Sequence, residues 1–162
     1  MPPPSTRRTK LFEISRSKRI SQQEVLMSVV RQNAVPQNDL EKLSLEFFDA
    51  WSRSDVEELL AYFAPDAVYH NVPLEPLKGT GEIQTFLEGY FSAVHLEIVT
   101  PLLATVGSTV LSERIDILTV AGRPPFDLPV AGVMTFNDSG AISEWRDYFD
   151  LGAAERGTGM IF

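Results

Sequence analysis

At 162 residues with 44% hydrophobic side chains, the chain suits one globular domain with its own core and is too short for two of ordinary size. It has no cysteine and only two histidines, His70 and His95, which removes disulfides, thiolate metal sites and a cysteine nucleophile and leaves too few ligands for a histidine-rich metal centre. The formal net charge of -8 is uneven: residues 1–38 carry seven Lys/Arg against two Glu, whereas residues 39–162 carry seven against twenty Asp/Glu. The acidic main body argues against nucleic acid as a partner, because phosphates would be repelled. No apolar run approaches the roughly 20 residues that span a bilayer, and Met1-Pro2-Pro3-Pro4 lacks the apolar core of a signal peptide. A cytoplasmic domain without membrane contact is the expectation.

Residues 1–37 read as a basic leader. The first 20 are rich in Pro, Ser, Arg and Lys and are expected to be disordered; an Arg/Ser-rich beginning also resembles a transit peptide, against which Glu13 and the triple proline speak. Residues 21–34 suit a short helix, and Val35-Pro36-Gln37-Asn38 reads as a linker. The main domain is expected over 38–151. Asn38 or Asp39 is placed to cap a first helix, about 40–52, whose Leu40, Leu43, Phe47, Phe48 and Trp51 follow helical spacing. Ser54-Asp55-Val56-Glu57 has the form of a capping box, predicting a second helix that carries Leu59, Leu60 and Phe63 inward and ends at Ala64-Pro65-Asp66. Ala67–Val72 reads as a short extended segment. Gly79–Gly81 introduces a third helix, about 81–93, with Ile83, Phe86, Leu87, Tyr90 and Phe91 as its buried stripe.

The period then changes to two. Leu96–Val106, Thr109–Val120, Phe126–Asn137 and Ala141–Phe149 read as strands, with turns at Gly107-Ser108, Gly122–Pro125 and Asn137–Gly140. Residues 152–162, with three glycines, read as a loosely ordered C-terminal tail. Helices first and an antiparallel meander afterwards predict an α+β fold, the helices covering one face of a curved sheet.

Several polar residues fall where the pattern expects apolar ones. In strand 109–120 the alternation puts Arg114 and Asp116 on one face with Val110, Leu118 and Val120. In strand 141–149, Ala141, Ser143, Trp145, Asp147 and Phe149 share a face, so Asp147 sits between two large aromatics. Ala67, Tyr69 and Asn71 share a face of the first extended segment. A buried charge needs a partner, and the five donors of Arg114 can serve two carboxylates, so an Asp–Arg–Asp arrangement is the natural inference. One cation cannot neutralise two acids, which favours one aspartic acid keeping its proton: an acid and a base held together.

Tyr69-His70-Asn71, Glu113-Arg114-Ile115-Asp116 and Trp145-Arg146-Asp147-Tyr148-Phe149-Asp150, at their spacing, resemble the limonene-1,2-epoxide hydrolase family. The likeness runs in order through residues 40–151. It implies a cystatin-related, nuclear-transport-factor-2-like fold: a curved mixed sheet with three to four helices closing a conical pocket, usually as a homodimer. It also implies roles. Asp147 would take a proton from water, Tyr69 and Asn71 would hold that water, and Asp116, protonated, would donate to the epoxide oxygen. Arg114 would bridge the aspartates, and Trp145 would line the pocket beside the base. No metal or cofactor is implied; the partners are water and a small lipophilic epoxide.

The pocket walls are read coarsely as Leu87, Phe91, Val94, Leu118, Leu128, Val130 and Phe149, with ordinary core as the plainer reading for each. Arg146, Tyr148 and Asp150 alternate to the other face and read as structural or interfacial, and His70 as a surface or interface histidine. Three functions compete: hydrolysis of an apolar epoxide to a vicinal diol without a covalent intermediate; an isomerase or cyclase using one aspartate as acid–base; and a non-catalytic pocket module. Fold alone does not separate them. The polar constellation favours the first.

Overall fold

Local chemistry sets the helix boundaries. The computed structural model describes residues 32–72 and 74–161; the disordered segment expected over 1–20, and most of the helix expected over 21–34, lie outside them. Asn38 caps α1 (Asp39–Trp51), its side-chain oxygen accepting from the Glu41 amide at 3.0 Å. Phe47, Phe48, Ala50 and Trp51 form its buried side. α2 is short (Val56–Leu60), and its cap is Asp55 rather than Ser54: the Asp55 carboxylate accepts from the Glu58 amide at 3.0 Å. Ser54 instead takes left-handed backbone (φ 53°) and turns the chain between the two helices. α3 (Gly79–Phe91) starts two residues before the expected position, where Gly79 at φ 76° makes the turn and Glu82 accepts from the Lys78 amide.

Six strands form one sheet: β1 (Phe63–Val72), β2 (Leu77–Lys78), β3 (Val94–Val106), β4 (Thr109–Val120), β5 (Phe126–Phe136) and β6 (Ile142–Tyr148), in the order β2-β1-β6-β5-β4-β3. β1 and β6 run parallel and every other neighbour is antiparallel, so the sheet is mixed. The Ala64-Pro65-Asp66 stretch, expected to end a helix, belongs to β1. The missing donor of Pro65 falls in a break of the ladder, which pairs at Phe63 and resumes at Val68. A second irregularity lies where Phe136 pairs with Ile142 but Thr135 pairs with Glu144. The extra residue, Ser143, switches the face, so Ile142 and Trp145 both point inward and the strict alternation expected over 141–149 holds only from Trp145 onward.

The inner face of the sheet carries Val110, Leu118, Leu128, Val130, Met134, Phe136 and Trp145, buried against α1 and α3. On the outer face Leu102, Val106, Leu111 and Tyr148 are exposed. The fold is therefore the expected α+β arrangement, helices on one side of a curved mixed sheet. The expected loose tail is helical: α4 (Leu151–Thr158) is capped by Asp150, which accepts from the Ala153 amide at 2.8 Å, and closes at Gly159 in left-handed conformation. Asp150, read as a strand residue, is thus a helix cap. A Cβ on Gly157 would stand 2.4 Å from the Phe126 ring, so this glycine serves close packing of α4 on β5. No helix among the described residues is long and apolar enough to cross a membrane.

Candidate active site

Strand register places the inward polar residues on neighbouring rows. Asn71 on β1 pairs with Asp147 on β6, which pairs with Gly132 on β5, which pairs with Ser112 on β4. One row along, Tyr69, Trp145 and Met134 are partners. Arg114 and Asp116 lie on successive inward positions of β4, opposite Val130 and Leu128. Five polar side chains from three strands therefore converge on one floor, since inward positions alternate along each strand.

Arg114 is clasped between the two aspartates. Its Nε donates to Asp116 Oδ1 at 2.9 Å and its Nη1 to Asp147 Oδ1 at 2.9 Å. Nη2 donates to both acids, at 3.3 Å to Asp116 Oδ2 and 2.6 Å to Asp147 Oδ2. The guanidinium packs against aromatic faces, with Cζ 4.9 Å from the Phe48 ring centre and 5.2 Å from Trp145. Burial pulls the Arg114 proton affinity down, but the charges of Asp116 and Asp147 outweigh it, and the residue stays cationic. Asp147 takes the deeper place, 3% of its side chain exposed against 12% for Asp116. Burial pushes the Asp147 carboxyl up to about 6, against the pull of the Arg114 charge and hydrogen bonds; Asp116 adds a smaller upward push. A carboxyl at that value is mostly ionised at neutral pH yet basic enough to accept a proton.

Tyr69 and Asn71 adjoin the buried acid. The Tyr69 hydroxyl donates to Asn71 Oδ1 at 3.1 Å, and its ring stacks on Trp145 with centroids 4.4 Å apart. Burial holds the phenol well above its ordinary value, so it stays a neutral hydroxyl. Trp145 is the hub of the aromatic core, meeting Phe47, Phe48, Trp51 and Phe63 as well. Its buried N–H lies beside Asp147 and helps hold the negative charge, but meets no acceptor at hydrogen-bonding geometry among the described residues. His70, on the other face, is half-buried and its Nε2 lies 2.8 Å from the Leu74 carbonyl oxygen.

A cavity opens over this floor. Tyr69, Asn71, Arg114, Asp116 and Asp147 all line it, and so do Trp145, Leu118, Leu128, Val130 and Phe149. Three wall candidates do not. Leu87 and Val94 are buried in the core, and Phe91 packs its ring against Trp51 at 5.5 Å. For Leu87 and Phe91 the reason is helical geometry: residues four apart share a line, so Ile83, Leu87 and Phe91 pack away from the cavity while Phe86 and Tyr90 form its wall. Sequence reasoning missed Trp51, Leu74, Phe86, Tyr90, Leu96, Ile98 and Ala154 as wall residues. A tyrosine on an apolar helical stripe was the available signal, because a buried hydroxyl needs somewhere to point. Among the described residues no three His, Asp or Glu side chains are grouped to hold a metal ion.

Comparison with known proteins shows the family. The family model for the limonene-1,2-epoxide hydrolase catalytic domain matches residues 41–156, which include the five polar floor residues. Epoxide hydrolase EphG of Mycobacterium tuberculosis is 32% identical over 105 residues, covering 65% of this chain and 69% of that protein. The structure of an LEH-like epoxide hydrolase of M. tuberculosis superposes with a TM-score of 0.61 at 31% identity, covering 69% of this chain and 83% of that one. An NTF2-like protein of unknown function from Burkholderia pseudomallei, 17% identical, gives a TM-score of 0.69 over 76% of this chain and 100% of that one and speaks for the fold alone. On a nuclear-transport-factor-2-like scaffold, with most of its length matched, the chain belongs to the limonene-1,2-epoxide hydrolase family.

Proposed function

We propose that this protein hydrolyses an apolar epoxide to a vicinal diol in one step, with no cofactor and no covalent intermediate. The observation that carries the reading is the buried Arg114 clasped by Asp116 and Asp147 at 2.6–3.3 Å on the floor of a largely apolar cavity. Tyr69 and Asn71 hold a water against Asp147. Asp147 takes one proton from that water as its oxygen attacks an epoxide carbon. The carbon–oxygen bond of the strained ring breaks, and Asp116 gives its proton to the departing oxygen. Arg114 bridges the two acids, and proton exchange with solvent resets them. Ring strain supplies the driving force, so the protein's task is positioning and proton transfer. Attack from the face opposite the breaking bond inverts the carbon attacked.

The exposed apolar residues of the outer sheet face, Leu102, Val106, Leu111 and Tyr148, suit a second copy of the chain. A cytoplasmic homodimer is part of the same reading. The experiment is a panel of cyclic and acyclic epoxides assayed for diol with no metal or cofactor added, followed by a single turnover in isotope-labelled water. Label in the first diol formed supports direct attack by water. Label retained in the protein points to an ester on an aspartate, and a rearranged product without added water points to an isomerase or cyclase.

A further inference from the structure

A glycine sits in the middle of the polar floor. Gly132 is a buried residue of β5 with Ser112 on one side and Asp147 on the other. A glycine inside a strand weakens it, and this one is not required by the backbone, since it is absent from the glycines with positive φ. Space is the remaining reason. A Cβ at this position would stand 2.5 Å from Arg114 Nη1, 2.7 Å from Ser112 Oγ and 3.1 Å from Asp147 Oδ1.

Register explains the crowding. The β5 partner of Arg114 is Val130, whereas Asp147 belongs to the row of Gly132. Arg114 therefore reaches Asp147 on the diagonal, and its Nη1 passes over the inner side of residue 132. The guanidinium has little room to move aside. Asp116 holds Nε and Nη2, and the Phe48 and Trp145 rings lie against its plane.

We infer that Gly132 is a positioning residue for the reaction: its missing side chain is the gap through which Arg114 reaches Asp147. The catalytic part of this inference rests on the hydrolase reading; the steric part does not. Any side chain at 132 pushes the guanidinium off Asp147, leaving that carboxyl buried without its cation.

The test is Gly132→Ala in the full chain, assayed two ways. Diol formation is expected to lose about 100-fold in kcat/KM, the scale of a misplaced catalytic group. The acid limb of its pH profile is expected to move to higher pH, because Asp147 has lost the charge that favoured its ionised form. A purely structural defect would lower the amount of active enzyme and leave that midpoint in place. The second assay is thermal unfolding of Gly132→Ala with and without Arg114→Met. Removing the guanidinium is expected to abolish most of the loss in Tm, and to restore a folded protein if Gly132→Ala alone does not fold. An unmoved midpoint in a folded variant overturns the positioning role, and an equal Tm loss in both backgrounds overturns the steric one. If the native chain forms no diol from any epoxide, the hydrolase reading fails while the thermal comparison still decides whether Gly132 makes room for Arg114.

Discussion

Replacing Asp147 by asparagine tests the electrostatics of the floor through stability as well as activity. The carboxyl sits at about 6 instead of 3.8, chiefly because it is buried. Folded Asp147 therefore binds its proton more tightly than the unfolded chain does. Its contribution to stability is fully present below 3.8 and is lost as pH rises through about 6. The displacement corresponds to about 3 kcal/mol in all, most of it lost between pH 4 and pH 8. Asparagine cannot titrate, so this slope is absent in the variant. Its amide also places a donor opposite Arg114 Nη2, where Oδ2 accepted at 2.6 Å; that penalty is the same at every pH and leaves the slope untouched. Urea unfolding of both proteins at intervals from pH 4 to pH 8 is the assay. The stability of Asp147→Asn minus that of the native protein is expected to rise by about 2–3 kcal/mol across the range, while diol formation is lost throughout. A flat difference would refute the raised proton affinity. A difference of opposite slope would mean that pairing with Arg114 dominates burial.

The same carboxyl sets the pH dependence of catalysis: kcat/KM for diol formation is expected to climb with pH through about 6 as Asp147 loses its proton, and a rate that instead rises with acidity would remove it as the base. Gly157→Ala puts a methyl 2.4 Å from Phe126 and should cost about 1–3 kcal/mol in urea unfolding by overpacking. Phe126→Leu in the same chain should recover most of it, and an equal loss in that background would place the strain elsewhere. Asn38→Ala removes the cap of α1 and its bond to Thr105 Oγ1 at 3.0 Å; a loss of about 1 kcal/mol is expected from the same measurement.

The polar floor was legible because strands betray their faces. Arg114 and Asp116 stood out as charges at inward positions of a strict two-residue alternation, and the structure buries both. What did not show was whatever interrupts a period. Ser143 is an extra residue in its ladder, and nothing in a serine between isoleucine and glutamate announces a bulge. Pro65 read as a helix stop because it cannot donate, whereas the chain leaves that donor unneeded at a break in β1. The α3 stripe looked like one surface, yet five apolar residues on a helix span more than one line, and only the line through Phe86 and Tyr90 meets the cavity. The glycines after residue 151 suggested looseness, although Gly157 marks close packing and Gly159 a helix end. Glycine signals freedom or tightness with equal force until its neighbours are known.

The parallel pairing of β1 with β6 carries a consequence for how the molecule comes to work. It is the sheet's parallel contact and joins an early stretch of the domain to a late one, bringing Tyr69 and Asn71 beside Trp145 and Asp147. The meander from β3 to β6 is built of neighbours in sequence and closes short loops, whereas this last seam must wait for a long one. On the ribosome Tyr69 and Asn71 emerge well before Asp147 exists. The proposed site is thus complete only where the two extremities of the domain meet.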